Sequence, residues 1–446
     1  MGGFAMKRTK LTVIASTLAA MALLTACAGK TEVAPAAAPA ASPAAAPAAQ
    51  EDTKPVTIKI YQWGAFSDEQ WQQLFVEPVK KKYPYITLEQ VVRGKGTNPD
   101  ELVASGQFPD IYSVTNDAQN QFVTLGLTQD QSALIKKQNI DLAKFDPAQL
   151  ERSKVGDQLI SLPFNMVYSV MFYNKDIFDK FGVPYPKDGM YWDEVINLAK
   201  QVTKSDAGFQ YKGMHPQSLF AMKAGLPIDL LDNKTDASTV NTDAWKNIVT
   251  QYKDLLTIPG NDPKGTAFAD VVNAFIKDKN TAMVISNVMS SMPDATKNGF
   301  NWDMAQAPSH RGLDGVNGGG QTLVFGVTKT SKNQEAAMKV ISVLTSDEVQ
   351  GIAAKKFGYF PALNSKEIRD AFGADMPFLK GKNVQSIFKG KPAPYMVSSP
   401  FSGNADVRKI FNDKVADFVA GKKDVNTALR EADEEINKKM PQLKQK

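Results

Sequence analysis

Two histidines, His215 and His310, and one cysteine, Cys27, are the only imidazole and thiol groups in 446 residues. That inventory cannot build a Cys₂His₂ or Cys₄ zinc centre, and it cannot form an internal disulfide. No metal and no cofactor is therefore expected. His215 stands beside Pro216, and His310 lies in Pro308-Ser309-His310-Arg311-Gly312; neither has a nucleophile as its neighbour in sequence. The chain has no Gly-x-Ser-x-Gly elbow, no phosphate loop ending in Gly-Lys-Ser/Thr and no His-Glu-x-x-His. Gly94-Lys95-Gly96 opens a dinucleotide-like pattern but meets Pro99 where a third glycine is needed. Ser386 and Lys389 have the Ser-x-x-Lys spacing of a serine nucleophile with a lysine base, unaccompanied by Ser-Asp-Asn or Lys-Thr-Gly. Carboxylate chemistry stays open, because 47 acidic residues offer many pairs and only their separation in the fold selects one. A secreted, lipid-anchored glycan-processing enzyme is thus the alternative to a non-enzymatic reading.

Near-neutral charge removes another class. The formal net charge is +5, falling to about +2 once Lys7, Arg8 and Lys10 leave with the leader described next, so nothing favours nucleic acid. Met6-Lys7-Arg8-Thr9-Lys10 precedes an uncharged apolar run over residues 11–26, the pattern of an export signal. A membrane-spanning helix is the alternative, but Thr12, Ser16, Thr17 and Thr25 dilute the run and it is short for a bilayer. Leu24-Thr25-Ala26-Cys27 resembles a bacterial lipobox, which makes Cys27 the expected lipidation site and residues 1–26 the signal peptide. Residues 31–50 hold eleven Ala and four Pro, with Pro35, Pro39, Pro43 and Pro47 evenly spaced. Proline at that spacing blocks helix and leaves extended chain, so residues 27–55 read as a lipidated tether reaching on the order of 60 Å.

From Val56 onward short β-rich runs alternate with amphipathic stretches. Strands are expected at 56–61, 86–92, 109–114, 281–286 and 321–328. Helices are expected at 68–82, 98–106, 193–203, 242–256, 267–277, 333–344, 346–355 and 427–440, for example on Val195, Leu198, Ala199 and Val202. Such alternation predicts an α/β fold with parallel βαβ strands, which bind ligands beyond their carboxyl ends.

Several segments resemble, in fixed order, one known family. Phe108-Pro109-Asp110-Ile111-Tyr112 comes first. Ser161-Leu162-Pro163-Phe164-Asn165, Met171-Phe172-Tyr173-Asn174-Lys175-Asp176-Ile177-Phe178, Phe181-Gly182-Val183-Pro184 and Tyr191-Trp192-Asp193-Glu194-Val195 follow. Lys279 to Met283, Gly318-Gly319-Gly320-Gln321 and Gly358-Tyr359-Phe360-Pro361-Ala362 complete the order. Over roughly residues 56–440 the chain is similar to the sugar-binding solute-binding proteins of bacterial ABC importers, often called family 1. Tyr191 replaces that family's usual threonine.

The resemblance implies a periplasmic-binding-protein-like fold, two α/β lobes with a hinge and an interlobe ligand cleft. Carried over, lobe 1 is 56–165 with a return near 290–340, and lobe 2 is 166–285 with much of 341–446. It also implies a monomer at the outer face of the cytoplasmic membrane or in the periplasm. Such a receptor touches the membrane only through its lipid and hands a small solute, a carbohydrate or oligosaccharide, to permease subunits of an ABC transporter.

A sugar offers C–H faces and many hydroxyls, so its site needs aromatic platforms beside amides and carboxylates. Trp63 ends the first strand and Gly64 lets the chain turn there; stacking on ligand or packing in the core are both open to Trp63. Asn116 and Asp117 follow the third strand, as ligand contacts or as helix caps. Phe164 and Asn165 sit where the resemblance places a lobe crossing, as stacker and two-way hydrogen bonder. Asn287 after the 281–286 strand, Trp302, Gly319 and Gln321 of the glycine run, and Tyr395 complete the candidates. Trp71, Trp192 and Trp245 read as core.

Overall fold

Strand and helix propensities resolve, among the described residues, into two large sheets that the chain enters alternately, beside a small hairpin of Lys154–Val155 with Gln158–Leu159. The computed structural model describes residues 53–445 apart from Thr266, Asn287, Val288, Asn317, Gly319, Gly320 and Pro394, and, of Ser286, the backbone alone. The expected leader, Cys27, most of the tether, Asn287 and Gly319 lie outside the described residues.

The first sheet runs in the order Phe360–Pro361, Leu162–Met166, Thr322–Val327, Ile111–Thr115, Val56–Gln62 and Ile86–Val92. Val56–Gln62 pairs in parallel with both Ile86–Val92 and Ile111–Thr115, the βαβ arrangement that the alternation predicts. Thr322–Val327 then enters antiparallel between Ile111–Thr115 and Leu162–Met166, so the sheet is mixed rather than parallel throughout. A strand that returns from a distant part of the chain needs no crossover helix and can take either direction.

The second sheet runs Trp302–Gln306, Val170–Asn174, Thr281–Ser286, Phe209–His215 and Lys204–Asp206. Here too one parallel pair, Thr281–Ser286 with Phe209–His215, sits beside antiparallel neighbours.

The strand order corrects the expected lobe boundaries. Within the return near 290–340 only Thr322–Val327 joins the first sheet; Trp302–Gln306 belongs to the second. Helices Gln334–Leu344 and Asp347–Phe357, which straddle the start of the stretch assigned in large part to lobe 2, instead bury Val340, Ile341, Leu344 and Val349 in one cluster with Ile58, Ile60, Phe75, Ile111 and Phe325. Their apolar stripes cover one face of the first sheet. Its other face buries Tyr61, Tyr112, Val114, Phe122 and Val324.

Helices Ala405–Val419 and Val425–Leu443 bury Phe411, Val415, Leu429 and Ile436 with Trp192, Val195, Trp245 and Met283 of the second lobe. The chain therefore passes between sheets at 167–169 and again at 307–321. A third passage, in which Lys382 and Lys389 already bond Trp302 and Asp188 of the second lobe, leads through 390–404 to the last two helices.

Close packing is tightest where helix Trp192–Val202 lies on Phe209–His215. A Cβ at Gly213 would stand 2.2 Å from the carbonyl oxygen of Ala199 and 2.6 Å from its Cα, and backbone cannot yield as a side chain does. Gly213→Ala is expected to destabilise the protein by about 1–3 kcal/mol; urea unfolding measures it, and an unchanged midpoint would contradict the packing.

Candidate ligand cleft

A cavity of about 690 Å³ lies where elements of both lobes and the third passage meet. This is within the size range of small-molecule sites. From the first lobe it receives Trp63, Asp100, Asn116, Asp117, Asn120 and Gln121; from the second, Phe220, Lys223, Asp229 and Arg408; from the passage, Tyr395, Met396 and Ser399.

Trp63 stands just beyond its strand because its N–H donates to the Ser113 carbonyl at 3.1 Å, extending the β pairing by one residue. The guanidinium of Arg93 lies 3.9 Å from the centre of the Trp63 ring, and Phe122 packs at 6.3 Å. The indole is thus held in place while remaining half-buried at the cavity wall.

Asn116 and Asp117 form the first turn after Ile111–Thr115, and neither side chain caps the helical residues that follow. Instead Asn116 Oδ1 accepts the N–H of Thr322 at 2.8 Å, which leaves its amide nitrogen without a protein acceptor among the described residues. Asp117 accepts from Gln321 Nε2 at 2.9 Å. Gln321 does not line the cavity; it holds Asp117, and its carbonyl takes the N–H of Val167 at 2.7 Å.

Tyr395 comes from the third passage. Burial raises its phenol above the ordinary value, so it presents a neutral O–H, and the Arg152 guanidinium lies 6.0 Å from its ring. Arg152 also donates to the Ala393 carbonyl at 2.7 Å, which fixes this stretch against the first lobe.

Other expected residues lie elsewhere. Phe164 is fully buried and packs edge-on to Phe325 at 5.3 Å, with Phe75 and Tyr359 around it. Strand alternation turns it into the core rather than toward a ligand. Asn165 does not line the cavity, and its Oδ1 is enclosed without a partner. Trp302 is wholly buried against Phe172 and donates through Nε1 to Thr296 Oγ1 at 2.8 Å, a core aromatic. Gly64 has open space around its Cβ position and does not line the cavity, so no close approach demands glycine there.

The second-lobe wall of Phe220, Lys223, Asp229 and Arg408 was not anticipated. Phe220 and Lys223 follow the carboxyl end of Phe209–His215, the place where an open sheet presents ligands, but that strand itself had no alternating pattern to announce it.

Residues with catalytic spacing are occupied by structure. Ser386 is fully buried and Lys389 Nζ lies 2.5 Å from Asp188 Oδ2, so the lysine's charge serves an ion pair. His215 Nδ1 accepts the N–H of Gln217 at 3.1 Å while its Nε2 faces the Lys264 carbonyl at 3.2 Å. His310 Nε2 faces the Met222 carbonyl at 2.9 Å. The two imidazoles thereby hold both ends of the segment that carries Phe220.

A two-lobed body with a solvent-reachable cavity between its sheets is the build of a solute-binding protein. The sequence profile of the bacterial extracellular solute-binding protein family matches residues 63–351, and the chain belongs to that family. Among curated relatives, the sn-glycerol-3-phosphate-binding periplasmic protein UgpB of Brucella melitensis is 24% identical over 301 residues, 63% of this chain and 67% of that one. The structure of an ABC substrate-binding protein of Listeria monocytogenes in complex with cycloalternan superposes with a TM-score of 0.68 at 20% identity, covering 87% of this chain and all of that one. A Rhizobium etli sugar transporter in an open conformation gives 0.70 at 22% identity, covering 85% and 99%. Among the described residues no helix is long and apolar enough to cross a membrane.

Burial pushes both imidazoles below their ordinary value of 6.5. The unfolded chain then takes up protons first, so the stability these residues contribute is complete above about pH 6.5 and is lost as pH falls toward their folded values. The melting temperature is expected to drop between pH 7 and pH 5, and to drop less in the His215→Gln, His310→Gln double variant. Equal slopes in the two proteins would show that other groups carry the pH dependence.

Proposed function

We propose that this protein captures a polyhydroxylated solute, a carbohydrate or oligosaccharide, and delivers it unaltered to the permease subunits of an ABC importer. The observation that carries the reading is the company kept in the cavity: the Trp63 indole and Tyr395 phenol beside the free amide of Asn116 and the carboxylate of Asp117. Aromatic faces cover the C–H surface of a sugar ring, and fixed amides and carboxylates satisfy its hydroxyls, which would otherwise lose hydrogen bonds on leaving water. Relatives bearing sugar or glycerol phosphate ligands in their names support the same class.

The mechanism is a population shift. A solute that touches Trp63 and Asn116 on one lobe and Phe220 on the other binds the closed arrangement better than the open one, and it can move the equilibrium only by that difference in affinity. On this account the lobes hinge at the passages that join the two sheets. In this reading Cys27 carries a lipid and the Ala/Pro tether spaces a monomeric receptor from the outer face of the membrane, where the importer sits.

Calorimetry against a panel of mono- and oligosaccharides tests the reading, with the recovered sugar analysed by chromatography. Saturable binding of an intact sugar is expected. Trp63→Ala should weaken it about tenfold or more. Phe164→Ala should instead lower folding stability by about 3–5 kcal/mol. Cleavage of the bound sugar would establish the enzyme alternative, and wild-type affinity in Trp63→Ala would remove Trp63 from the site.

A further inference from the structure

Some lysines and arginines on this surface pair with carboxylates. On helix Ala405–Val419 itself, Lys409 pairs with Asp413 at 2.6 Å, and Lys414 pairs with Glu435 at 2.9 Å. Two cations on the cavity wall do not. Lys223 Nζ donates to the Ile228 carbonyl at 2.6 Å, and Arg408 Nε to the Ser402 carbonyl at 3.5 Å. Among the described residues neither forms an ion pair.

They are close enough to oppose one another. Burial lowers the affinity of Lys223 for its proton, Asp229 acts against that, and the charge of Arg408 adds to it. Asp229 is the one acid on the same wall, yet its Oδ1 takes the N–H of Leu230 at 2.7 Å and its Oδ2 is enclosed without a partner. It tempers the two positive charges without reaching either. Phe220, 5.1 Å from the Arg408 guanidinium, and Trp245, 6.0 Å from Lys223 Nζ, give the pair an aromatic rather than an ionic setting.

On the first-lobe wall the signs reverse, since its charged residues are Asp100 and Asp117. The cavity is therefore polarised between its lobes. A half-buried ammonium held near an exposed guanidinium, with no carboxylate bonded to either, is costly, and closure, which excludes water, raises that cost.

We propose that Lys223 and Arg408 form an anion subsite, so that the solute carries a carboxylate or phosphate on its polyhydroxylated body. This rests on the carbohydrate reading above. The anionic group turns to the second lobe, where it accepts hydrogen bonds from the Lys223 ammonium and Arg408 guanidinium. The hydroxylated body turns to Trp63, Asn116 and Asp117. An anion that neutralises the pair makes closure favourable, whereas a neutral sugar leaves the cost of bringing two cations into a dry cleft.

Matched probes decide the matter: D-glucuronate and D-glucose 6-phosphate against D-glucose, and D-galacturonate against D-galactose, titrated calorimetrically at low and high salt. At least one charged probe is expected to bind about tenfold or more tighter than its neutral parent, with the advantage shrinking as salt rises. Uronate and phosphate arms separate the two sources of the anion. Lys223→Met and Arg408→Met should abolish the advantage while Trp63→Ala weakens charged and neutral members together; Lys223→Gln and melting curves check that each variant folds. Neutral parents binding as tightly as their charged partners, or variants losing both alike, would overturn the anion subsite and leave the carbohydrate reading standing. Failure of every probe, charged and neutral, across this set and the wider sugar panel would overturn both.

Discussion

Two hydrogen bonds on adjacent residues hold the cavity in shape: Asn116 Oδ1 with the Thr322 N–H, and Asp117 with Gln321. Each joins a loop that faces the cavity to the segment by which the chain returns from the second lobe. The Gln321 carbonyl in turn takes the N–H of Val167, in the segment by which the chain first leaves. Cavity wall and crossing segments therefore share one set of bonds, so a displacement of Asn116 or Asp117 is felt directly at the strands that join the two sheets. Both bonds depend on Thr322–Val327 running antiparallel between Ile111–Thr115 and Leu162–Met166, because only that direction brings Thr322 to the carboxyl end of Ile111–Thr115.

Where a strand was plain in the sequence, the residues just beyond it could be placed. Val56–Gln62 and Ile111–Thr115 are regular strands with one buried face or two, and the residues just beyond them, Trp63, Asn116 and Asp117, line the cavity. Phe164 and Asn165 rest on position in a resemblance and Trp302 on its aromatic neighbourhood, neither of which carries information about the face a side chain takes; one residue of register separates core from cleft. The second-lobe wall was hidden for another reason. Phe209–His215 carries Gly213 because helix Trp192–Val202 lies flush on it, and that glycine, with Lys212 beside it, breaks the apolar pattern a strand would otherwise show. Arg408 sits on a helix that is not among those expected from the sequence, and only tertiary packing brings its first turn to the cleft.

Lobe boundaries resisted for a topological cause. Helices Gln334–Leu344 and Asp347–Phe357 and the last two helices follow one another in sequence with similar amphipathic stripes, yet the first pair covers one sheet and the second pair the other. Hydrophobic periodicity tells which face is buried, not which partner buries it. The third passage, fixed by Arg152 at Ala393, separates the two pairs and brings Tyr395 to the cavity wall.

The first sheet draws its edge strands from residues as far apart as Ile86–Val92 and Phe360–Pro361, and the second lobe is sealed by a helix ending at Leu443. Neither core can close until those distant segments have been made, and contacts so far apart in sequence form slowly. The second lobe in particular stays open until its last helix is made, a state in which a polypeptide of an extracellular family can be threaded through a narrow translocation channel before it folds on the far side.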